Sequence, residues 1–511
     1  MLRNEIIRKL RKCDKKDLLT WVSLCQIPHV NTEKVALIEY TIGVLLSIDY
    51  EKKPKRKISP KFIKRIFSEA SMDFENFVES SNQSELQKIF PLGFLGIRGD
   101  AFPWQFAQAA NDRYGPHKKW MYQHLGFTIS DAICFSKKIT AFFMRKSLEF
   151  ELPEFPHYTE NKYYDQKQVM IPRKEAFLLW KQNISISIDE LKSLFPKRKH
   201  KRLDNFLQRM SVDLENVRPI IKGPLDFNIL YAKPFVKIQK DLFIPIPRLI
   251  WNSIATTFHY DFLQDNDYKG KYIDQKGKVA EKRMQLCFGK IFPKNQLFPR
   301  VRYGRDKGYP DVDLIINGAD TAIFVECSAK WITKKAKGGD SLSIITDLKS
   351  SVEKCSNQLN RALGAHQKRK ISGIKANQIL PIIVLDDFIP GIDYILKVYE
   401  FSPEPYPYII NIFDLDMITD LTNKQEFIDF ITKRIELSKQ KRIFAADEIG
   451  YFVLYKLHGF EKYVNLGKRD SMLLYIGHLE NIAPTYYKDH MSQFIDDPLV
   501  SQALKRMDLE I

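Results

Sequence analysis

The hydrophobic and polar residues of the 511-residue chain follow different periods in different segments. Up to about residue 235, apolar residues recur every three or four positions, as in DKKDLLTWVSLCQI, which is the spacing of amphipathic helices. From PFVKIQKDLFIPIPRLI (234–250) onward, β-branched and aromatic residues alternate with polar ones, which is typical of strands. Past residue 420 the helical spacing returns. We predict a mostly helical domain at 1–235, an α/β domain with a mixed sheet at 236–420, and a helical C-terminal region at 421–511.

The segment PDVDLIINGADTAIFVECSAKW (310–331) predicts two strands joined by a hairpin turn at NGAD. A four-residue loop would place position 313 opposite 324, and a two-residue Asn-Gly loop would place it opposite 322. Successive side chains of a strand point to opposite faces, and both registers have the same parity. The polar residues therefore share one face in either case, while the other face is apolar: Asp311, Asp313, Glu326, Ser328 and Lys330.

Carboxylates that face each other on a half-buried sheet destabilise it unless a cation or a hydrogen-bond donor compensates them. Mg²⁺ or Mn²⁺ is a suitable cation, because a hard divalent ion binds one or two carboxylates and keeps water on its other positions. A lysine beside the metal would orient the attacking water or stabilise the charge that develops on a phosphate. The pattern therefore predicts metal-assisted hydrolysis of phosphodiesters. The alternative is a solvated edge strand whose charges prevent aggregation.

Residues 270 to 390 resemble the PD-(D/E)xK nuclease superfamily, whose fold is the restriction-endonuclease-like fold. The resemblance rests on GKVAEKRMQLCF, YPDVDLII, FVECSAK and SSVEKCSNQLNRAL, in that order along the chain. It implies that Glu281 is the acid of the first helix and that Gln358 belongs to the helix after the strands. It also implies that Glu326 and Asp313 bind the metal, with Asp311 as the alternative to Asp313.

The chain departs from the family at the lysine, because position 328 is occupied by Ser328. Lys330 lies two residues further on the same predicted face, about 7 Å along a strand, and its long side chain can span that gap. We expect Lys330 to replace the missing lysine, while a degenerate, inactive site is the alternative. The lysines that follow are candidates for phosphate contact, or else form a solvated loop: Lys334, Lys335 and Lys337.

The formal net charge of +18 produces a field that attracts polyanions such as nucleic acids. A basic surface that serves solubility is the alternative explanation. The stretch FPKRKHKRLDNF is a second candidate for contact with a nucleic-acid backbone. Aromatic residues and cations also mix in PLGFLGIRGDAFPWQFAQAANDRYGPHKKWMYQHLGF, where they either stack on bases or form a helix core with a solvated face.

Several other classes of protein are not supported. The six cysteines are scattered without zinc or disulfide spacing, and neither a Walker A sequence nor an HExxH motif is present. The N-terminal segment predicts an amphipathic helix rather than a signal peptide, and VALIEYTIGVLLSIDY is interrupted by Glu39 and too short to span a bilayer. We expect a cytoplasmic protein without a membrane segment.

Together these features predict a Mg²⁺-dependent or Mn²⁺-dependent endonuclease that cleaves DNA. RNA is an alternative substrate, and a role in restriction or defence against foreign DNA is an extrapolation from the superfamily. One alternative from another class is a nucleic-acid-binding protein that has lost catalysis through the change at position 328. The other is an assembly subunit that forms a homo-oligomer or joins a partner protein through its helical regions.

Overall fold

The structure is a computed structural model. It describes residues 4–25, 33–51, 54, 56–80, 101–148, 177–178, 181, 184–213, 228–303, 311–337, 341–387, 392, 396, 405–440, 448–460, 479 and 482–506.

The described residues form two compact units. The first contains those up to position 80, from 101 to 266 and from 487 onward, and the second contains those from 267 to 486. These limits differ from the predicted boundaries at 236 and 421. The helix at 249–256 packs against the helix at 103–114 in the first unit, and the helix at 424–439 packs against a strand of the second.

The first unit is mostly helical, as the hydrophobic spacing predicts. Its helices are α1 (Asn4–Leu10), α2 (Lys15–Leu24), α3 (Glu33–Ser47), α4 (Pro60–Ser80), α5 (Pro103–Tyr114), α6 (Lys118–Leu125), α7 (Ile129–Leu148), α8 (Ile188–Ser193), α9 (His200–Met210), α10 (Leu249–Thr256), α11 (Phe258–Gln264), α19 (Tyr486–Ile495) and α20 (Pro498–Arg506).

A small four-stranded sheet accompanies these helices, and part of it lies within the region predicted as helical. Its strands are β1 (Ser185–Ser187), β2 (Ser211–Asp213), β3 (Phe235–Ile238) and β4 (Asp241–Phe243). The order is β1-β4-β3-β2, with β2 parallel to β3 and the other pairs antiparallel. β1 and β2 have three residues each, too few to show a period of two in the sequence.

The second unit contains a five-stranded mixed sheet in the order β5-β6-β7-β8-β9. Its strands are β5 (Leu297–Arg302), β6 (Asp311–Asn317), β7 (Thr321–Ser328), β8 (Gln378–Leu385) and β9 (Tyr408–Asn411). Its helices are α12 (Lys269–Phe288), α13 (Lys334–Lys337), α14 (Ser341–Leu348), a π-helical turn (Lys349–Glu353), α15 (Lys354–Gln367), α16 (Ile412–Asp420), α17 (Lys424–Lys439) and α18 (Glu448–His458). β5, β6 and β7 pair antiparallel, and β7, β8 and β9 pair parallel.

The hydrophobic pattern explains why these strands lie inside the sheet. β7 (TAIFVECS) and β8 (QILPIIVL) are rich in β-branched residues, and most of their side chains are buried. On one face, Ile315 of β6 and Phe324 of β7 pack in the same apolar cluster as Leu359 of α15. The chain therefore has a mixed α/β fold, as predicted. Among the described residues, no helix combines the length and the apolar character needed to cross a membrane.

Candidate functional site

The β6–β7 hairpin brings two acidic residues opposite each other. Leu314 pairs with Val325 and Ile315 with Phe324, and the same register places Asp313 opposite Glu326. The registers expected from the sequence, with position 313 opposite 324 or 322, are wrong. Their parity is right, so Asp313 and Glu326 lie on one face as predicted. Both strands lie inside the sheet, so the alternative of a solvated edge strand is also wrong.

The turn explains the difference in register. Gly318 donates its N–H to the carbonyl of Thr321 at 3.0 Å, so the loop consists of Ala319 and Asp320. A Cβ atom at position 318 would lie only 2.6 Å from the Thr321 carbonyl oxygen. Glycine is therefore required for this close approach. The two-residue loop shifts the hairpin register by two residues relative to that expected for a four-residue loop.

The carboxyl groups of the pair share a proton-binding site in a buried environment. The pKa of Asp313 is raised to about 6, mainly by burial. The Cys327 N–H, which donates to Asp313 Oδ2 at 2.8 Å, acts in the opposite direction and lowers this pKa. The pKa of Glu326 is raised to about 10, first by burial and then by the charge of Asp313. Glu326 is 1% exposed, and its Oε1 has no hydrogen-bond partner among the described residues. The folded pair therefore keeps a proton at neutral pH.

Glu281 of α12 lies near this pair, and it is held by an arginine that was not predicted from the sequence. Arg300 donates to Glu281 Oε2 from Nε at 2.8 Å and from Nη2 at 2.7 Å. The hydrogen bonds to Glu281 raise the pKa of Arg300 most, followed by the charge of Glu281 and then by the charges of Asp311 and Asp313. Glu281 in turn helps to raise the pKa of Asp313. A guanidinium thus borders three carboxylates.

The backbone at Arg300 is unusual for a strand. Pro299 pairs with Leu314 and Val301 with Val312, so Arg300 lies opposite Asp313 in the register of β5 and β6. Its φ angle is 50°, in the left-handed region that disfavours residues other than glycine. The sequence signal was present in FPRVR, where a basic residue precedes the acidic strand, but the strand itself was not predicted.

The helix α15 packs against β6 and β7 and carries two polar residues toward its middle. Gln358 is half-buried and Arg361 is exposed, one helical turn later. The charge of Arg361 acts to lower the pKa of Glu326, against the larger effect of burial. Gln358 therefore lies on a helix that follows the two strands along the chain, and Arg361 is a further cation that was not predicted from the sequence.

Lys330 lies outside the strand, because β7 ends at Ser328. Its Nζ forms an ion pair with Asp347 Oδ1 at 3.2 Å and a hydrogen bond with Ser350. Asp347 is buried and also accepts from the N–H and the hydroxyl of Thr333, both at 2.8 Å. Ser328 is buried, and its carbonyl oxygen accepts from the N–H of Asp386 at 2.9 Å.

The predicted phosphate-binding lysines lie on the short helix α13. Lys335 is exposed, whereas the side chains of Lys334 and Lys337 lie outside the described residues. The remaining acid of the motif, Asp311, is half-buried and pairs with Arg302 of β5.

Within the described part of the chain, no group of three or more His, Cys, Asp and Glu side chains is arranged to hold a metal ion. Asp313 and Glu326 nevertheless offer what a hard divalent ion needs: two adjacent carboxylates, one buried oxygen to which no described residue donates, and a proton that a cation can displace. The residues therefore fit a site with two protein carboxylates, in which water and substrate oxygens supply the other ligands.

Comparison with known proteins gives no match: no family model fits the chain, and no curated protein or solved structure is significantly similar to it.

Proposed function

We propose that the protein is a metal-dependent endonuclease that hydrolyses phosphodiester bonds of DNA. The observation that carries this proposal is the opposition of Asp313 and Glu326 on interior strands. Glu326 is almost fully buried, and one of its oxygens has no hydrogen-bond partner among the described residues. A sheet gains nothing in stability from a half-buried and a buried acid that face each other. Such an arrangement is typical of sites that bind a cation.

The order of elements supports a restriction-endonuclease-like core. A helix with Glu281 precedes an antiparallel hairpin with Asp313 and Glu326; a helix with Gln358 follows, and then β8 lies parallel to β7. This is the order that the sequence resemblance implies. It supports the assignment of the two hairpin acids as metal ligands and of Glu281 as a residue that assists from the helix.

In the proposed reaction, Asp313 and Glu326 would hold Mg²⁺ or Mn²⁺. The ion would supply Lewis acidity and a water of lowered pKa. Arg300 and Arg361 border the carboxylates and are suited to attract the substrate's phosphate groups. Lys330 would orient the attacking water only if it leaves Asp347, which holds it at 3.2 Å.

The test is cleavage of supercoiled and linear DNA by the purified protein with Mg²⁺ or Mn²⁺. Asp313→Ala and Glu326→Ala should abolish cutting, and Lys330→Ala should reduce it strongly if this lysine acts on the water. Ser328→Ala is the matched control and should cut normally. Cutting that persists in the Asp313 and Glu326 variants would refute the proposed site. RNA substrates belong in the same assay, and protection of a host culture against phage tests the proposed role in defence.

A second candidate is a nucleic-acid-binding protein that has lost catalysis. It is favoured by Ser328, which stands where the family has lysine, and by the engagement of Lys330 with Asp347 and Ser350. This candidate predicts salt-sensitive binding of nucleic acid without cleavage in either divalent ion. If cutting is lost only because the lysine lies at position 330 instead of 328, the double variant Ser328→Lys, Lys330→Ala should restore it.

A further inference from the structure

The first unit carries a basic segment next to an exposed aromatic ring. This surface comprises Tyr122 of α6 and four cations around the start of α9, namely Lys197, Arg198, Lys201 and Arg202. We call it the α6–α9 surface. It lies in a different unit from the carboxylate pair.

The ring of Tyr122 is held in place rather than buried. Its residue is 50% exposed, whereas the preceding aromatic residues Tyr114 and Trp120 are buried in the core. The guanidinium carbon of Arg202 lies 5.1 Å from the centre of the Tyr122 ring. Arg202 is itself fixed by Asp131, with Nη1 to Oδ2 at 3.1 Å. The sequence alternative of a helix core is thus correct for Tyr114 and Trp120, while Tyr122 remains available to a ligand.

Three cations of this surface are not neutralised by any residue within the described part of the chain. Lys197, Arg198 and Lys201 are exposed, and none of them has an ion pair or hydrogen bond to any residue that the structure describes. Asp131, the buried acid beneath them, is already occupied by Lys199 at 3.8 Å and by Arg202. The surface therefore presents unpaired positive charge.

The position of these charges is unfavourable for the fold alone. They flank the N-terminus of α9, whose first turn contains no acidic residue. A helix N-terminus carries partial positive charge and is stabilised by anions, so a run of cations there is destabilising. An anionic ligand would remove this repulsion.

We propose that the α6–α9 surface binds single-stranded nucleic acid. Phosphate groups would contact Lys197, Arg198 and Lys201, and a base would stack on Tyr122 beside the Arg202 guanidinium. An acidic protein or an anionic membrane would use the cations but would not need the exposed ring, whereas bases stack on aromatic side chains whatever their sequence. The ring therefore favours nucleic acid over other polyanions.

The test uses the full chain in EDTA, so that binding is measured whether or not the protein cleaves DNA. The probe is a fluorescent single-stranded oligonucleotide of mixed sequence, titrated by anisotropy at several salt concentrations. The combined variant Lys197→Gln, Arg198→Gln and Lys201→Gln should lower the slope of log K against log salt by about 2, since each lost phosphate contact contributes about 0.7 on single strands. The control variant removes three exposed lysines elsewhere in the unit and should leave the slope nearly unchanged: Lys57→Gln, Lys61→Gln and Lys64→Gln.

The ring is tested separately. Tyr122→Ala should weaken binding at least about fivefold without changing the salt slope, and Tyr122→Phe should bind like the parent, because stacking needs the ring and not the hydroxyl. If the two triple variants lower the salt slope equally, the α6–α9 surface is refuted as the binding site. If Tyr122→Ala binds like the parent, single-stranded nucleic acid is refuted as the ligand. The same follows if Tyr122→Ala loses as much affinity for anionic vesicles as for the oligonucleotide. Absence of cleavage in Mg²⁺ would contradict the proposed function and leave this inference intact.

Discussion

Replacement of Glu326 by glutamine should stabilise the folded protein increasingly as the pH rises. The pKa of Glu326 is about 10 in the folded state and 4.5 in its ordinary state, because burial and the charge of Asp313 disfavour ionisation. Between these values the folded state holds one proton more than the unfolded state. The stabilising effect of this proton is complete below pH 4.5 and is lost progressively as the pH rises towards 10.

The size of the effect follows from this proton difference. One extra proton on the folded state lowers the free energy of unfolding by about 1.4 kcal/mol per pH unit, or roughly 3 kcal/mol between pH 6.5 and 8.5. Glutamine has the same shape and binds no proton, so the variant lacks this loss. Asp313, whose pKa is raised to about 6, titrates mainly below this window and contributes little to the difference.

The assay is urea unfolding at pH 6.5, 7.5 and 8.5 in EDTA, with the exposed Glu436→Gln as the control that should keep the pH dependence of the parent. The stability difference between Glu326→Gln and the parent should grow by about 3 kcal/mol across the series. If the two curves run parallel, the carboxyl group of Glu326 is ionised in the folded protein and our account of the pair is wrong. Mg²⁺ should stabilise the parent more at pH 8.5 than at pH 6.5, because the ion replaces the proton, and this gain should be absent in the variant.

Three further substitutions test other parts of the structure. Arg300→Gly should change the free energy of unfolding by no more than about 1 kcal/mol, because relief of the left-handed backbone strain offsets the loss of a surface ion pair. The same substitution should impair DNA cleavage. Normal cleavage would show that the guanidinium has no role. Gly318→Ala should destabilise the protein by about 1–3 kcal/mol in thermal or urea unfolding, because its Cβ would meet the Thr321 carbonyl, and an unchanged midpoint would refute the close approach. Arg434→Met should cost about 3–5 kcal/mol in the same measurement, because the buried Glu448 would lose the opposite charge and the two hydrogen bonds that Arg434 donates to it at 2.8 and 3.1 Å. A cost below about 1 kcal/mol would contradict this.

The interior of the second unit was predictable because its strands carry continuous apolar faces. β6, β7 and β8 appear where β-branched and apolar residues predict strands, and the helices with Glu281 and Gln358 appear where apolar residues recur at helical spacing. The common face of Asp313 and Glu326 depends only on parity, which survives an error of two residues in the turn.

The periphery of the site was not predictable from the same signals. β5 is an edge strand in which only Leu297 and Val301 are half-buried, so no hydrophobic alternation marks it. β9 has only four residues, all buried, and continues directly into α16. Arg300 was missed together with its strand, and the pairing of Lys330 with Asp347 depends on the chain leaving the sheet after Ser328.

The hairpin that carries the acid pair also bears on how the protein folds. Asp313 and Glu326 are joined by a short local turn, whereas the parallel partner of β7 begins only at Gln378. Local hairpins form within microseconds, and contacts between distant segments form later. The two carboxylates should therefore meet while water still surrounds them and lose that water only when β8 and α15 dock. We expect alkaline pH to slow this docking step, so that the acids which shape the site also set the rate at which the sheet is completed.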